Sequence, residues 1–248
     1  MLILPLYDDN PLRRVPVVTY GLIALCAVVF LWQQGQGARA ERAIAFAYGM
    51  VPAVLFGTAE LPHRLQHVPP WATLVTSMFL HGGWLHLLGN MLYLWLFGRG
   101  VESALGAGRY LVFYLLCGVA AALTQAFTDP ASEVPMIGAS GAIAGTLGAY
   151  LVLHPRGNVV VFVWILIFVR LISVPAVILL GLWFLMQLAS GLAAQAGEGG
   201  VAFWAHVGGF LLGMLLVPVF RRSDVAMLQP RRSRPFAAAP PRRRGPWG

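Results

Sequence analysis

The sequence predicts an all-α membrane protein, a single bundle of six transmembrane helices. Hydrophobic residues make up 58% of the 248 positions and charged residues only 10%, and the mean hydropathy is +0.74. A soluble domain of ordinary composition has about 25% charged residues. Several apolar runs also approach or exceed the roughly 20 residues that a spanning helix needs. The expected surroundings of the fold are therefore lipid.

Three regions follow one another along the chain. They are a cytoplasmic N-terminal segment (1–14), a six-span domain (15–220) and a basic tail rich in Arg and Pro (221–248). The predicted spans are about Val15–Trp32, Leu85–Phe97 extending to Glu102, Tyr110–Phe127, Ser140–Leu153, Ile172–Leu188 and Phe203–Phe220. The tail has few large apolar side chains, so it is expected to be disordered.

Two stretches are apolar but are not predicted to cross. The long first loop (33–84) contains apolar pieces that Gly and Pro interrupt, and each piece is too short to span. We interpret this loop as interfacial or partly re-entrant. Val159–Val169 precedes Arg170 and Pro175, which break the run, and it is also interpreted as interfacial.

The distribution of arginine supports this layout. With the N-terminus inside, 14 of the 17 basic residues lie on the cytoplasmic side, including eight in the tail, as the positive-inside rule expects. Both termini are therefore predicted to be cytoplasmic, in the inner (plasma) membrane of a cell.

Two other interpretations of the terminal segments remain open. Arg13-Arg14, the following apolar run and Ala38-Arg39-Ala40 are also compatible with a cleaved secretory signal, which would leave five spans. An arginine-rich tail is able to bind nucleic acid or acidic lipid. Next to a span it is first an orientation signal, and no nucleic-acid partner is predicted.

Polar side chains inside spans are costly and mark candidate functional sites. Those that qualify are His81, His86, Asn90, Ser140 and His206. Ser140 and His206 each precede the inner end of their span by 14 residues, which places both at about 21 Å above it. Asn90 precedes Glu102 by 12 residues, or about 18 Å.

Two other polar residues in the spans have a simpler explanation. Gln125 and Gln187 lie near outer span ends, where water is within reach.

Small residues accompany Ser140 and His206. Gly138 and Gly141 flank the serine, and Gly208, Gly209 and Gly213 follow the histidine. Such spacing allows close helix approach, which a Ser–His hydrogen bond of about 3 Å requires. Each feature alone also has a structural explanation, because Ser, Gly and His all serve in helix packing. Their joint occurrence at matched depth favours a serine nucleophile with a histidine base.

These residues resemble the rhomboid family of intramembrane serine proteases. The matching stretches are FLHGGWLHLLGN (79–90), GASG (138–141) and AHVGGFLLG (205–213), in the same order and on the same spans. The resemblance implies Ser140 as nucleophile and His206 as general base. It also implies an oxyanion hole of His86, Asn90 and the Ser140 backbone N–H, with supporting roles for His81, Gly138, Gly141 and Gly209. The implied substrates are transmembrane segments of other proteins.

Two departures from the family pattern concern the first loop and the histidine. Members often carry Trp-Arg where this chain has Trp71-Ala72. Some members place an aromatic ring beneath the histidine four residues after the serine, where this chain has Ala144. The sequence therefore leaves open what orients His206.

Other protease mechanisms need residues that this sequence lacks. An aspartyl protease needs two acids within spans, and a zinc protease needs the His-Glu-x-x-His motif; the sequence contains neither, so no metal or cofactor is predicted. A non-proteolytic rhomboid-like scaffold or chaperone remains the main alternative, followed by a transporter. The sequence makes no prediction of oligomeric state.

Overall fold

The computed structural model describes residues 2–10, 12, 14–165, 168–194 and 201–229. Its body is a bundle of helices, with a small sheet at one end. In chain order the helices and strands are β1 (Leu2–Asp8), α1 (Val17–Gly35), α2 (Ala38–Tyr48), α3 (Pro52–Leu55), α4 (Thr73–Thr76), α5 (Trp84–Tyr93), α6 (Arg99–Leu105), α7 (Ala107–Thr128), α8 (Ser140–Leu153), β2 (Asn158–Ile165), β3 (Phe168–Pro175), α9 (Ala176–Ala193) and α10 (Phe203–Phe220).

Among the described residues, four helices are long and apolar enough to cross a membrane, namely α1, α7, α9 and α10. Helix α8 is apolar but shorter. Helices α5 and α6 are joined without a break by a π-helical turn, Leu94–Gly98, and together they form one long element. The helical membrane bundle predicted from the sequence is confirmed, and its elements are consistent with six spans.

The first loop contains short helices. Helix α1 continues to Gly35, three residues beyond the predicted end of the span. Helices α2 to α4 and three 3₁₀ turns follow, and the longest has 11 residues. An isolated antiparallel bridge between Met50 and Met136 ties this loop to the segment that precedes α8.

Helix α8 lies in the centre of the bundle, where it packs against α10 and α7. Nearly all of its residues are buried. The contact with α10 is backbone to backbone, because a Cβ on Gly213 would overlap with the carbonyl group of Gly145. This is the small-residue packing that the glycine spacing predicted.

The described residues of Val159–Val169, which were predicted to be interfacial, lie in two strands of a β-hairpin. Their interfacial placement stays a prediction. Strands β2 and β3 pair antiparallel, and β1 pairs antiparallel with the other edge of β2, giving the order β1-β2-β3. The fifth span correspondingly begins at Ala176 and not at Ile172. A run of Val and Phe residues is as favourable for a strand as for an apolar helix.

The sheet is attached to the bundle by polar contacts at the end of β1. The Tyr150 hydroxyl donates to Asp8 Oδ2 at 2.6 Å, and Asn10 Nδ2 donates to the Tyr150 oxygen at 2.5 Å. Asn158 donates through its backbone N–H and its Nδ2 to the two carboxylate oxygens of Asp9, at 2.9 and 2.8 Å. The N-terminal strand and the residues after it are thereby fixed to α8 and to the start of β2.

Helix α1 is capped by a residue from α6. Glu102 Oε1 accepts from the Val18 backbone N–H at 2.9 Å, and Oε2 accepts from the N–H and the hydroxyl of Thr19, both at 2.7 Å. Pro16, at the N-cap position, has no side-chain acceptor of its own. A carboxylate at a helix N-terminus pairs with free N–H groups and with the positive end of the helix dipole.

The beginning of the basic tail packs on the bundle. The backbone N–H groups of Leu228 and Gln229 donate to the carbonyl groups of Val152 and Leu153, both at 2.9 Å. Val225 is only 3% exposed. The expectation of a disordered tail from residue 221 is therefore wrong for residues 221–229, and the rest of that expectation falls outside the described residues.

Candidate active site

Ser140 is the first residue of α8 and is presented there by a glycine turn. Gly138 has φ +126°, a backbone conformation that residues other than glycine rarely adopt. Its N–H donates to the Ser77 carbonyl group at 2.8 Å, and a Cβ at Gly138 would lie 2.7 Å from His86 Nε2. Gly138 thus lets the chain pass close to the histidine ring and turn into the helix.

The structure brings Ser140 and His206 together. Ser140 Oγ lies 2.8 Å from His206 Nε2, across the contact between α8 and α10. The histidine is 8% exposed. Beside the pair, a Cβ on Gly209 would overlap with the carbonyl oxygen of Gly141, so Gly209 permits the separation of α8 and α10 that this hydrogen bond needs. A Cβ on Gly141 would instead overlap with Ala121 of α7.

Helix α9 supplies two contacts to His206 that the sequence did not predict. Gln187 Oε1 lies 2.7 Å from His206 Nδ1, and the glutamine is 6% exposed. The ring centroid of Trp183 lies 5.7 Å from that of His206, at an interplanar angle of 37°. An aromatic side chain does support the histidine, but it comes from α9 and not from the position of Ala144.

Gln187 was expected near water at the outer end of a span, and the structure corrects this expectation. The available signal was its spacing from Trp183. The two residues are four positions apart, so they share one helix face. A polar and an aromatic residue on one face of an otherwise apolar helix indicate contact with a polar partner.

His86 and Asn90 lie on the other side of Ser140, on α5. The Gly82 backbone N–H donates to His86 Nδ1 at 3.3 Å, so in neutral imidazole Nε2 carries the proton. Asn90 is buried, and no acceptor among the described residues bonds its Nδ2. Both residues line, with Ser140 and His206, a cavity of about 630 Å³. The cavity that holds the serine is therefore lined by the His86 ring and by Asn90, whose Nδ2 has no acceptor among the described residues.

His81 lies behind His86. It is 2% exposed, its ring centroid is 5.2 Å from that of His86, and its two ring nitrogens have no hydrogen-bond partner among the described residues. Gln33 from α1 holds its backbone, accepting from the His81 N–H at 3.1 Å. The supporting role implied for His81 stays a prediction.

No three His, Cys, Asp or Glu side chains are grouped as metal ligands in the part of the chain that the structure describes. Among the described residues, the groups that meet at the cavity are the Ser140 hydroxyl, the His206 imidazole supported by an amide, and several N–H donors. These are the components of acyl transfer by a serine nucleophile.

Comparison with known proteins gives a match to one family. The family model described as "Rhomboid domain" matches residues 69–223, more than half of the chain. The Rhomboid protease GluP of Bacillus subtilis is 35% identical over 55% of this chain and 24% of its own length. Rhomboid protein 1, mitochondrial, of Saccharomyces cerevisiae is 31% identical over 69% of this chain and 51% of its own. The Rhomboid protease AarA of Providencia stuartii is 33% identical over 40% and 39%.

Proposed function

This chain belongs to the rhomboid family, and we propose that it is an intramembrane serine endopeptidase with a Ser140–His206 dyad. The family match establishes a membrane protein related to proteases. The chain spans between a quarter and about half of the length of the three relatives named above, so its own activity is inferred from its site. The observation that carries the proposal is the 2.8 Å contact between Ser140 Oγ and His206 Nε2.

In the proposed reaction, His206 acts as general base on the serine hydroxyl. Nε2 takes the proton as Oγ attacks the carbonyl carbon of the scissile peptide, and the carbonyl oxygen becomes an oxyanion. His206 then gives the proton to the departing amine, which leaves an acyl group on Ser140. Water attacks the acyl-enzyme by the same route, and the product acid and the free serine are formed.

The oxyanion is proposed to be stabilised by three donors. The Ser140 backbone N–H is at the first turn of α8, where no helix carbonyl group is available to it. His86 Nε2–H and Asn90 Nδ2–H face the same cavity. Preorganised donors of this kind stabilise the charge that develops in the transition state.

The proposed substrates are transmembrane segments of other proteins. The site lies at the start of α8, inside a bundle whose outer surface is apolar, and membrane lipids are the surrounding medium. The proposed location is the inner membrane with both termini cytoplasmic. Two contacts support a common side for both segments: β1 pairs with the strand that follows α8, and residues 228–229 pack on the same end of α8. The excess of arginine supports the cytoplasmic side.

A fluorophosphonate probe tests the proposal directly. Detergent-solubilised protein should be labelled covalently, and Ser140→Ala should remove the label because the attacking oxygen is absent. Cleavage of a model transmembrane substrate should be lost in both Ser140→Ala and His206→Ala and should be unaffected by EDTA. A rhomboid-like scaffold would instead bind the substrate without labelling or cleavage, and that result would overturn the proposal.

A further inference from the structure

The sequence leaves His206 without an obvious partner for its second nitrogen, and the structure places Gln187 there. We propose that Gln187 is a positioning residue that extends the dyad to a hydrogen-bonded Ser140–His206–Gln187 triad. The inference rests on the proposed function, since it concerns the same reaction. It adds a residue on a third helix, α9, to the two helices that carry the dyad.

The contact with Gln187 determines the tautomer of His206. An amide oxygen accepts hydrogen bonds and cannot donate them. The 2.7 Å contact from Gln187 Oε1 therefore requires that His206 Nδ1 carry the proton. In neutral imidazole the lone pair then lies on Nε2, which faces Ser140 Oγ at 2.8 Å. This is the tautomer that a general base for the serine must have.

The same contact also orients the ring. With both nitrogens bonded, rotation of the imidazole would break two hydrogen bonds at once. The Trp183 ring, one turn before Gln187 on α9, lies 5.7 Å from the imidazole and also 6.0 Å from Phe210. Gln187 thus sets the direction of the ring within its plane, while Trp183 lies against the ring.

Gln187 also meets the charge that forms on His206. When His206 accepts the serine proton it becomes an imidazolium, and the amide oxygen of Gln187 still accepts from Nδ1–H. A neutral acceptor performs the orienting part of the role that a carboxylate has in a Ser-His-Asp triad. It does so without placing an ionised acid among apolar helices, where an isolated charge is costly.

Gln187→Met is the informative variant, because methionine has similar length and no hydrogen-bond acceptor of comparable strength. A positioned general base contributes about 10²–10⁴-fold to the rate. Because Gln187 acts through His206, we expect kcat to fall by about 10- to 100-fold, at or below the lower end of that range, with KM nearly unchanged. The rate of fluorophosphonate labelling should fall in parallel.

Gln187→Glu tests the acceptor itself, since its carboxyl group, ionised or neutral, retains an acceptor oxygen at the same reach. It should keep kcat within about threefold of the wild type, clearly above the Met variant, which a merely structural packing role would not require. Gln125→Met is the matched control. The Gln125 amide oxygen accepts from the Ala205 backbone N–H at 3.3 Å, next to the histidine, but does not contact its ring. This variant should keep kcat within about twofold.

Several outcomes would overturn the inference. They are full kcat in Gln187→Met, equal losses in the Met and Glu variants, or an effect confined to KM. If Gln187→Met does not fold, Gln187→Asn replaces it as the test variant. The shorter Asn side chain withdraws the amide oxygen from His206 Nδ1. Equal kcat for the Asn and Glu variants would then refute the positioning role of Gln187. Failure of wild-type labelling would refute the proposed function instead, so the two failures are distinguishable.

Discussion

Gly209 lies directly against the carbonyl group of Gly141, so that a Cβ on Gly209 would overlap with that oxygen. Gly141 follows Ser140 in α8, and Gly209 is one turn after His206 in α10. The backbone contact between the two glycines is therefore adjacent to the hydrogen bond between the serine and the histidine. Helix separation and dyad geometry depend on the same pair of residues.

Gly209→Ala is expected to separate α8 from α10 and to weaken both stability and activity. Because the obstacle is backbone, neither helix is able to yield by a side-chain rotation. Overpacking of this kind typically costs about 1–3 kcal/mol. Thermal unfolding in detergent should occur at lower temperature, and fluorophosphonate labelling of Ser140 should slow markedly.

Gly21→Ala is the control for that substitution. A Cβ at Gly21, on the exposed side of α1, would meet open space. Alanine is also the better helix former. This variant should label at the wild-type rate, and a Gly209→Ala protein that does the same would show that close packing is not needed at the site.

Asn90→Ala is expected to reduce turnover more than substrate binding. Asn90 lines the cavity and its Nδ2 has no acceptor in the part of the chain that the structure describes. An oxyanion donor acts mainly on the transition state. Removal of one such donor typically costs about 10²–10³ in kcat, and less if His86 and the Ser140 N–H compensate. Kinetics and thermal unfolding should be measured on the same preparation.

The alternative role of Asn90 is to hold α5 in place. An interhelical hydrogen bond in a membrane is worth about 1 kcal/mol. If Asn90→Ala unfolds markedly earlier but keeps its kcat when folded, the oxyanion assignment is wrong.

The sequence identified the site residues whose polar side chains are unfavourable in a lipid-embedded helix. Ser140, His206 and Asn90 are noticeable because each is a polar residue within an apolar run, and helical rise alone assigns them similar depths. Gln187 escaped notice because a glutamine near the end of a span is explained equally well by water. Its bond to His206 depends on how α9 packs, which local spacing does not specify.

The sheet was missed for a different reason. The residues from Val159 onward are apolar and β-branched, and periodicity alone does not separate a short buried strand from part of an apolar helix. The strand that completes the pairing on one edge, Leu2–Asp8, is about 150 residues away in the chain. Long-range pairing of this kind leaves no local signal.

Asp8→Asn is expected to change stability with pH in a defined direction. Burial raises the pKa of the Asp8 carboxyl from its usual 3.8, although bonds from Tyr150 and Asn10 and the charge of Arg99 oppose the shift. Ionisation therefore costs the folded state free energy as pH rises through the raised pKa. Asparagine keeps an acceptor for Tyr150 and does not ionise.

The advantage of Asn over Asp at position 8 should thus grow as pH rises above about 4 and level off beyond the folded-state pKa. Unfolding midpoints of both proteins between pH 4 and 8 measure this difference. Asp8→Ala, which removes the acceptor, should be less stable than Asp8→Asn across the range. An advantage that shrinks with rising pH would contradict the assigned cause.

Truncation after residue 229 should leave catalysis and stability nearly unchanged, whereas truncation after residue 223 should destabilise the protein. The shorter chain loses the burial of Val225, worth about 1.5–3 kcal/mol, and two backbone hydrogen bonds to the end of α8, worth about 0.5–1.5 kcal/mol each. Both truncated proteins retain Arg221 and Arg222, so a difference in insertion is not expected. Unfolding temperature and substrate cleavage should be compared for chains ending at 223, 229 and 248. Because these contacts lie at the opposite end of α8 from Ser140, truncation after residue 223 should lower the unfolding temperature before it lowers substrate cleavage.

Equal unfolding temperatures for the chains ending at 223 and 229 would show that the packing of residues 224–229 contributes nothing to the fold.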